Sequence, residues 1–148
     1  METERGGAVK VERSFASTLE SVDEAEAVII DAATKAGFDE DDQHYISMAA
    51  REVLVNAVVH GNRYSIHKQV HVAVDANADR IRIVVRDEGE GFNLEDLPDP
   101  LAKENLLRQS GRGILLIRAF MDEFDLRKAS PHGTQVTLVK RRGRNEDK

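Results

Sequence analysis

Apolar residues recur along this chain with two periods, and the change from one period to the other predicts its elements. Helical spacing runs through two successive segments, residues 17–38 and about 39–61. The first is marked by Leu19, Val22, Ala25, Ile29 and Ala33. Gly37 follows that pattern where a C-terminal cap belongs, and the acidic run 39–42 suits the positive N-terminus of a second helix.

Strict alternation of apolar and polar residues predicts strands elsewhere. Residues 8–15 alternate and predict a strand before the helices. Residues 68–76 and 79–87 alternate on either side of a short polar connection, which predicts a hairpin. Residues 124–130 and 133–141 have the same character and predict a closing hairpin.

Between the two hairpins the pattern fails over residues 92–110. A loop of this length inside a compact domain is usually a functional lid or disordered, and a short helical turn near 101–108 fits within it. Helical spacing then returns over residues 111–124. The tail, residues 141–148, has no apolar content and is expected to be disordered.

The predicted order is therefore strand, helix, helix, strand, strand, lid, helix, strand, strand. Strands grouped in this way favour an antiparallel or mixed sheet with helices on one face. We predict an α+β fold, a two-layer sandwich in a single domain over residues 1–148, with a mixed but mostly antiparallel sheet.

Composition narrows the class of protein. The chain has 148 residues, of which 41% are hydrophobic and 32% charged, which is typical of one soluble globular domain. A net charge of -6 disfavours a nucleic-acid partner. The absence of cysteine excludes disulfides and thiol chemistry, and no apolar run approaches the length of a membrane span. The N-terminus has no secretory character, so a cytoplasmic protein is expected.

Candidate chemistry begins in the second helix. Glu52, Asn56 and His60 stand four residues apart and so form a polar line along an otherwise apolar helix. An Asn side-chain oxygen suits Mg²⁺, and a carboxylate one turn away can activate a hydroxyl nucleophile. We expect His60 to be a structural residue at the helix end.

Two glycine-containing turns follow. Asp87, Gly89 and Gly91 lie at the end of a predicted strand, where the glycines allow a tight turn and a ligand close to the backbone. An ionised Asp87 can accept a hydrogen bond from an exocyclic amine such as that of adenine. Gly111 and Gly113 lead into a helix, whose N-terminal N–H groups can bind phosphate.

The sequence argues against several other kinds of nucleotide and metal site. Neither glycine pair completes a Rossmann or P-loop pattern, and Gly89 and Gly91 occupy positions where an EF-hand needs oxygen ligands. His67 and His71 are a poor metal set, and we expect both at exposed strand positions.

Taken in chain order, the helix with Glu52 and Asn56, the turn at Asp87, the long loop and the second glycine pair resemble the Bergerat-fold ATPases, the group that includes gyrase, histidine kinases and MutL. "EVLVNAVVHGN" is similar to the N box, "DEGEG" to the G1 box and "GRG" to the G2 box. The resemblance implies ATP and Mg²⁺ as cofactors. It also implies a role for each matching residue: Glu52 as catalytic base, Asn56 as Mg²⁺ ligand, Asp87 on adenine with Thr134, Gly89 beneath the base, Gly91 in the same turn, and Gly111, Arg112 and Gly113 at the phosphates.

Within that group the chain is most similar to the anti-sigma factor serine kinases of bacterial partner switching. This implies a homodimer that binds a sigma factor and phosphorylates a serine of a STAS-domain anti-anti-sigma factor. Those kinases commonly carry an arginine where this chain has Gln109, although Arg108 and Arg112 flank it. An ATP-gated binding module without catalysis is therefore the alternative interpretation, whereas the retained Glu52 favours a kinase.

Overall fold

The computed structural model describes residues 8–89, 113–129 and 132–142, and for 113–116 it describes the backbone alone. Within these residues the elements follow the predicted order. The strands are β1 (Val9–Ala16), β2 (Gln69–Ala76), β3 (Arg80–Arg86), β4 (Glu123–Lys128) and β5 (Thr134–Arg141). The helices are α1 (Leu19–Ala36), α2 (Glu40–Asn56) and α3 (Gly113–Phe120), and a π-helical turn (Ala57–Gly61) continues α2.

Both long helices have side-chain N-caps, and the predicted cap at Gly37 is confirmed. Thr18 Oγ1 accepts a hydrogen bond from Ser21 N at 3.1 Å, and Gly37 ends α1 in the left-handed conformation with φ 100°. Asp39 Oδ1 accepts a bond from Asp42 N at 2.9 Å. The acidic run thus lies in the first turn of α2, where the helix dipole favours negative charge.

The five described strands form one sheet in the order β1-β2-β3-β5-β4. Each of the four pairings is antiparallel, so the predicted α+β class is confirmed and the parallel component of a mixed sheet is absent from the described strands. The β2–β3 connection is closed by Asn77, whose Oδ1 accepts from Asp79 N and Arg80 N at 2.8 and 3.0 Å.

Helices α1 and α2 pack against the sheet and against each other around an aliphatic core. Burial alternates along β2 and β3, as expected for strands with one face on that core. The core includes Ile29, Ile46, Leu54, Ile83 and Leu138, each at most 1% exposed. Burying one such side chain stabilises the fold by about 1.5–3 kcal/mol. Helix α2 lies beside β3 and β5.

The tail predicted for residues 141–148 includes two residues, 141 and 142, that the structure places in contact with the rest of the fold. Arg141 pairs with Arg80 as the last residue of β5, and Arg142 donates to the Gly37 carbonyl at 2.6 Å while lying over the Phe38 ring. The guanidinium thereby satisfies a carbonyl left open at the end of α1. The predicted lid, 92–110, and the remaining tail, 143–148, lie outside the described residues.

No helix in the described ranges combines the length and the apolar character that crossing a membrane requires.

Candidate functional site

The last turn of α2 carries a buried polar atom that the fold does not satisfy. Asn56 is 6% exposed, and its Oδ1 has no hydrogen-bond partner among the described residues. Its Nδ2 lies 3.5 Å from Glu52 Oε2, a long contact that holds the two side chains side by side. A buried acceptor without a donor lowers stability by roughly 1–3 kcal/mol, so we expect a ligand to bind this atom.

The chemistry of Asn56 Oδ1 fits a magnesium ion. Mg²⁺ prefers hard oxygen ligands and is commonly held by one or two protein groups together with phosphates. The described residues contain no group of three or more His, Cys, Asp or Glu side chains placed to hold a metal. The role of Asn56 as a Mg²⁺ ligand stays a prediction, with which its buried oxygen is compatible.

Directly after Asn56 the helix widens into the π turn. Asn62 N donates to Ala57 O at 2.8 Å, a span of five residues instead of four. A wider turn shifts the residues that follow around the helix axis, so the polar line predicted through His60 does not continue regularly, and His60 is exposed. The same turn brings Gly61 against the segment that follows β3.

That segment is centred on Asp87, which is 5% exposed. Its Oδ1 accepts hydrogen bonds from Gly89 N at 2.9 Å and Thr134 N at 3.1 Å. Asp87 N in turn donates to Thr134 O at 3.0 Å. Asp87 and Thr134 are thus neighbours as predicted, although the hydrogen bonds between them use the backbone of Thr134. Oδ2 takes part in none of these bonds.

Burial raises the pKa of the Asp87 carboxyl above its ordinary value of 3.8. The hydrogen bonds from Gly89 and Thr134 oppose that rise, as do the positive charges of Lys68 and Arg86. A carboxylate in this setting has lost water and gained only part of the donors that would replace it. A ligand donor at Oδ2 would supply what is missing.

Two glycines let the end of α2 and the Asp87 segment touch. A Cβ added to Gly61 would overlap Asp87 Oδ2, and a Cβ added to Gly89 would overlap the Gly61 carbonyl oxygen. Only a residue without a side chain fits at either position. The contact places the turn that follows the Glu52–Asn56 helix against Asp87, and the sequence prediction of the site did not include Gly61.

Glu88 links this site to β2. His71 Nε2 lies 2.5 Å from Glu88 Oε2, and His71 Nδ1 lies 2.8 Å from Ser14 Oγ on β1. The hydrogen bond with His71 lowers the pKa of Glu88, and desolvation partly offsets the effect. The expectation of two exposed strand histidines is wrong for His71, which is half-buried and bonded, and His67 lies before β2.

Part of the predicted site lies outside the described residues. Gly91, Gly111 and Arg112 lie outside the described residues, as do Arg108 and Gln109. Gly113 is the first residue of α3, which agrees with a glycine pair that leads into a helix.

Comparison with known proteins gives a family and a fold. A model of the histidine kinase-like ATPase domain matches residues 15–140. An anti-sigma F factor of Oceanobacillus iheyensis is 29% identical over 129 residues, which is 86% of this chain and 88% of that protein. An anti-sigma F factor of Bacillus thuringiensis is 31% identical over 97 residues, 64% of this chain and 66% of that protein.

Among solved structures, the chain is similar to the crystal structure of the RsbU and RsbW domains of Rv1364c from Mycobacterium tuberculosis. The TM-score is 0.64 at 20% identity, over 90% of this chain and 32% of that one. At this identity the similarity concerns the fold.

Proposed function

The chain belongs to the histidine kinase-like ATPase family, and from this premise we propose that it is an ATP- and Mg²⁺-dependent protein-serine kinase that acts as an anti-sigma factor. In this proposal it binds a sigma factor and phosphorylates a serine of a STAS-domain anti-anti-sigma factor, the arrangement known as partner switching. The names of the relatives from Oceanobacillus and Bacillus support the sigma-factor partner.

The observation that carries the proposal is the Oδ1 of buried Asn56, which lies beside Glu52 and has no partner among the described residues. Five residues further on, Gly61 packs against Asp87 and Gly89. A structural helix end would not leave such an acceptor unsatisfied. Asn56 Oδ1 would hold a magnesium ion, which would remove this cost and supply positive charge for nucleotide phosphates.

Each described residue then has a distinct task. Asp87 accepts the hydrogen bond of the adenine amine through Oδ2, while Oδ1 is held by the Gly89 and Thr134 N–H groups. Asn56 holds the Mg²⁺, which when bound neutralises charge on the phosphates. Glu52 orients the incoming serine hydroxyl and takes its proton as the serine oxygen bonds to the γ-phosphorus and the bond to the β–γ bridging oxygen breaks, which leaves ADP.

The remaining assignments rest on the family resemblance. Gly91, Gly111, Arg112 and Gly113 would contribute to the nucleotide and phosphate contacts. We expect the protein to act in the cytoplasm as a homodimer, without direct contact to nucleic acid.

One alternative has a specific observation in its favour. Gln109 stands where related kinases commonly carry an arginine for the γ-phosphate. A chain without that arginine can bind ATP and a partner and sequester the partner without transferring phosphate. Glu52 separates the two functions, because binding alone requires no base.

The test is phosphoryl transfer from labelled ATP to STAS-domain proteins of the same organism. Glu52→Gln keeps the side chain's size, so the variant should bind ATP and the STAS protein as the wild type does. It should transfer phosphate at least about a hundredfold more slowly, the lower end of the usual contribution of a general base. Glu24→Gln, an exposed position on α1, is the matched control and should keep the full rate.

The contrary outcome is equally definite. If the wild type binds both ATP and the STAS protein but no phosphoserine forms at any magnesium concentration, the kinase assignment is lost and the ATP-gated binding module replaces it.

A further inference from the structure

Asn62, the residue after the π turn, uses both ends of its side-chain amide in hydrogen bonds. It is 1% exposed. Its Oδ1 accepts a hydrogen bond from Glu88 N at 2.7 Å. Its Nδ2 donates to Ser17 Oγ at 2.9 Å and to Gln69 O at 3.0 Å. One amide thus connects the end of α2 with the link before α1, the start of β2 and the segment after β3.

Only an amide satisfies these partners. Glu88 N–H can only donate and Gln69 O can only accept, so the orientation of the Asn62 amide is fixed by its neighbours. An aspartate would keep the acceptor toward Glu88 but would lose both donors. An alanine would remove the side-chain partner of the part-buried Glu88 N–H and Gln69 carbonyl, at a cost of desolvation for each.

The backbone after Asn62 is held in an unusual conformation. Arg63 and Tyr64 both have positive φ, 53° and 62°, a region that non-glycine residues rarely occupy. Tyr64 N donates to Val58 O at 3.0 Å, which ties this bend back to the π turn. Such a conformation persists only where the surrounding contacts determine it, and the Asn62 amide supplies three of those contacts.

The segment Asp87–Gly89 is held from two sides. On the β5 side, the Thr134 backbone binds both the backbone and the carboxylate of Asp87, and His132 Nδ1 lies 3.1 Å from Gly89 O. On the α2 side, Asn62 Oδ1 accepts a hydrogen bond from Glu88 N, which belongs to the peptide group that joins Asp87 to Glu88. Without Asn62 this side would lose the hydrogen bond that fixes the peptide next to the Asp87 carboxylate.

We propose that Asn62 is a positioning residue of the nucleotide site, which sets the preference for adenine by fixing where Asp87 presents Oδ2. The inference rests on the proposed function, since it assumes that Asp87 accepts the adenine amine. It adds to that function a determinant of base specificity that does not itself touch the nucleotide.

The experiment compares the affinities for ATP and for inosine triphosphate, which carries a carbonyl oxygen in place of the adenine amine. The ratio of the two affinities does not depend on the fraction of folded protein, so a variant that is only destabilised keeps the ratio. Asn62→Ala should lower the ratio by about tenfold, the value of one misaligned hydrogen bond to a charged group.

Two further variants separate positioning from stability. Ser17→Ala removes the hydrogen bonds of Ser17 Oγ to Lys68 O and to Asn62, but leaves Glu88 bonded. It should lower stability and keep the wild-type ratio. Asn62→Asp keeps the acceptor for Glu88 N and should keep most of the ratio even where it destabilises the fold.

The outcomes are distinct. If Asn62→Ala keeps the wild-type ratio, or Asn62→Asp loses as much of it as alanine does, the inference is overturned while the proposed function stands. If the wild-type protein itself fails to prefer ATP over inosine triphosphate, the adenine role of Asp87 fails, and the inference fails with it.

Discussion

The helix side of the site, Glu52 and Asn56 on α2, and the strand side, Asp87 after β3, differ in charge and in hydrogen bonding. At the end of α2, Asn56 Oδ1 is neutral, buried and without a donor among the described residues. After β3, Asp87 is buried with two backbone donors on one oxygen, and burial still raises the pKa of its carboxyl. In the proposed function, the helix side would hold a cation and the strand side would accept a hydrogen bond from adenine.

The largest effect on ATP binding is expected on the strand side. Asp87→Asn can keep the hydrogen bonds from Gly89 and Thr134 through its amide oxygen, but it presents an NH₂ group where the adenine amine must donate. Loss of a hydrogen bond to a charged group should weaken ATP binding by roughly 10- to 100-fold. Calorimetric titration measures this, with Asp79→Asn at the exposed β2–β3 turn as control. Equal affinities of variant and wild type would remove Asp87 from the adenine contact.

Acidification should act on the same side of the site. Because the pKa of Asp87 is raised, ATP affinity should begin to fall while ordinary carboxylates are still ionised, by up to about tenfold per pH unit. The ratio of wild-type to Asp87→Asn affinity at each pH cancels the titration of the ATP phosphates. A ratio that stays constant down to pH 4 would contradict the assignment.

The same shift affects folding with the opposite sign. A carboxyl whose pKa is higher in the folded protein adds stability when protonated. That contribution is complete below the ordinary value of 3.8 and is lost as pH rises through the folded-state value. Acid should therefore favour the fold at Asp87 while it weakens the nucleotide contact.

On the helix side, Asn56→Leu should separate stability from function. Leucine has a similar size and removes the unpaired acceptor, so the free energy of unfolding without nucleotide should rise by about 1 kcal/mol. The response of ATP affinity to magnesium should disappear at the same time. Urea denaturation and magnesium titrations measure the two effects. A variant that is less stable and still responds to magnesium would show that Asn56 Oδ1 is not the ligand.

The smallest effect is expected at His71, outside both sides. His71→Val removes the bond to Glu88 and should cost roughly 0.5–1 kcal/mol at neutral pH, since the pair is partly exposed. Because His71 lowers the pKa of Glu88, this stability is present above the ordinary value of 4.5 and is lost as pH falls through the folded-state value. The exposed His67→Val is the control in urea denaturation. Equal effects of the two substitutions would show that the bond adds nothing.

The sequence predicts the order of the elements for identifiable reasons, whereas the roles of the site residues stay predictions. Helix caps such as Gly37 and alternating strands are local signals, and they appear where expected. The family resemblance predicts that Asp87 and Thr134 are neighbours, as the structure shows.

The π turn and Asn62 were not predicted, because neither has a local signal. Spacing arguments assume 3.6 residues per turn, so they extend the polar line of α2 to His60 without a break. The side-chain partners of Asn62 lie 7, 26 and 45 residues away along the chain. A single sequence without knowledge of the tertiary contacts cannot indicate which asparagine will be buried among them.

The π turn at Ala57–Gly61 can be understood as the product of one extra amino acid in an otherwise regular helix. Each α-helical residue advances the chain by about 100° around the axis. Deleting a single codon within the turn would restore a straight helix and rotate Gly61 away from Asp87 by about that angle. The two sides of the site would then face different directions although every other residue was kept. The relative orientation of the helix side and the strand side therefore depends on the number of residues in this turn, and insertions or deletions here should be far less tolerated than substitutions.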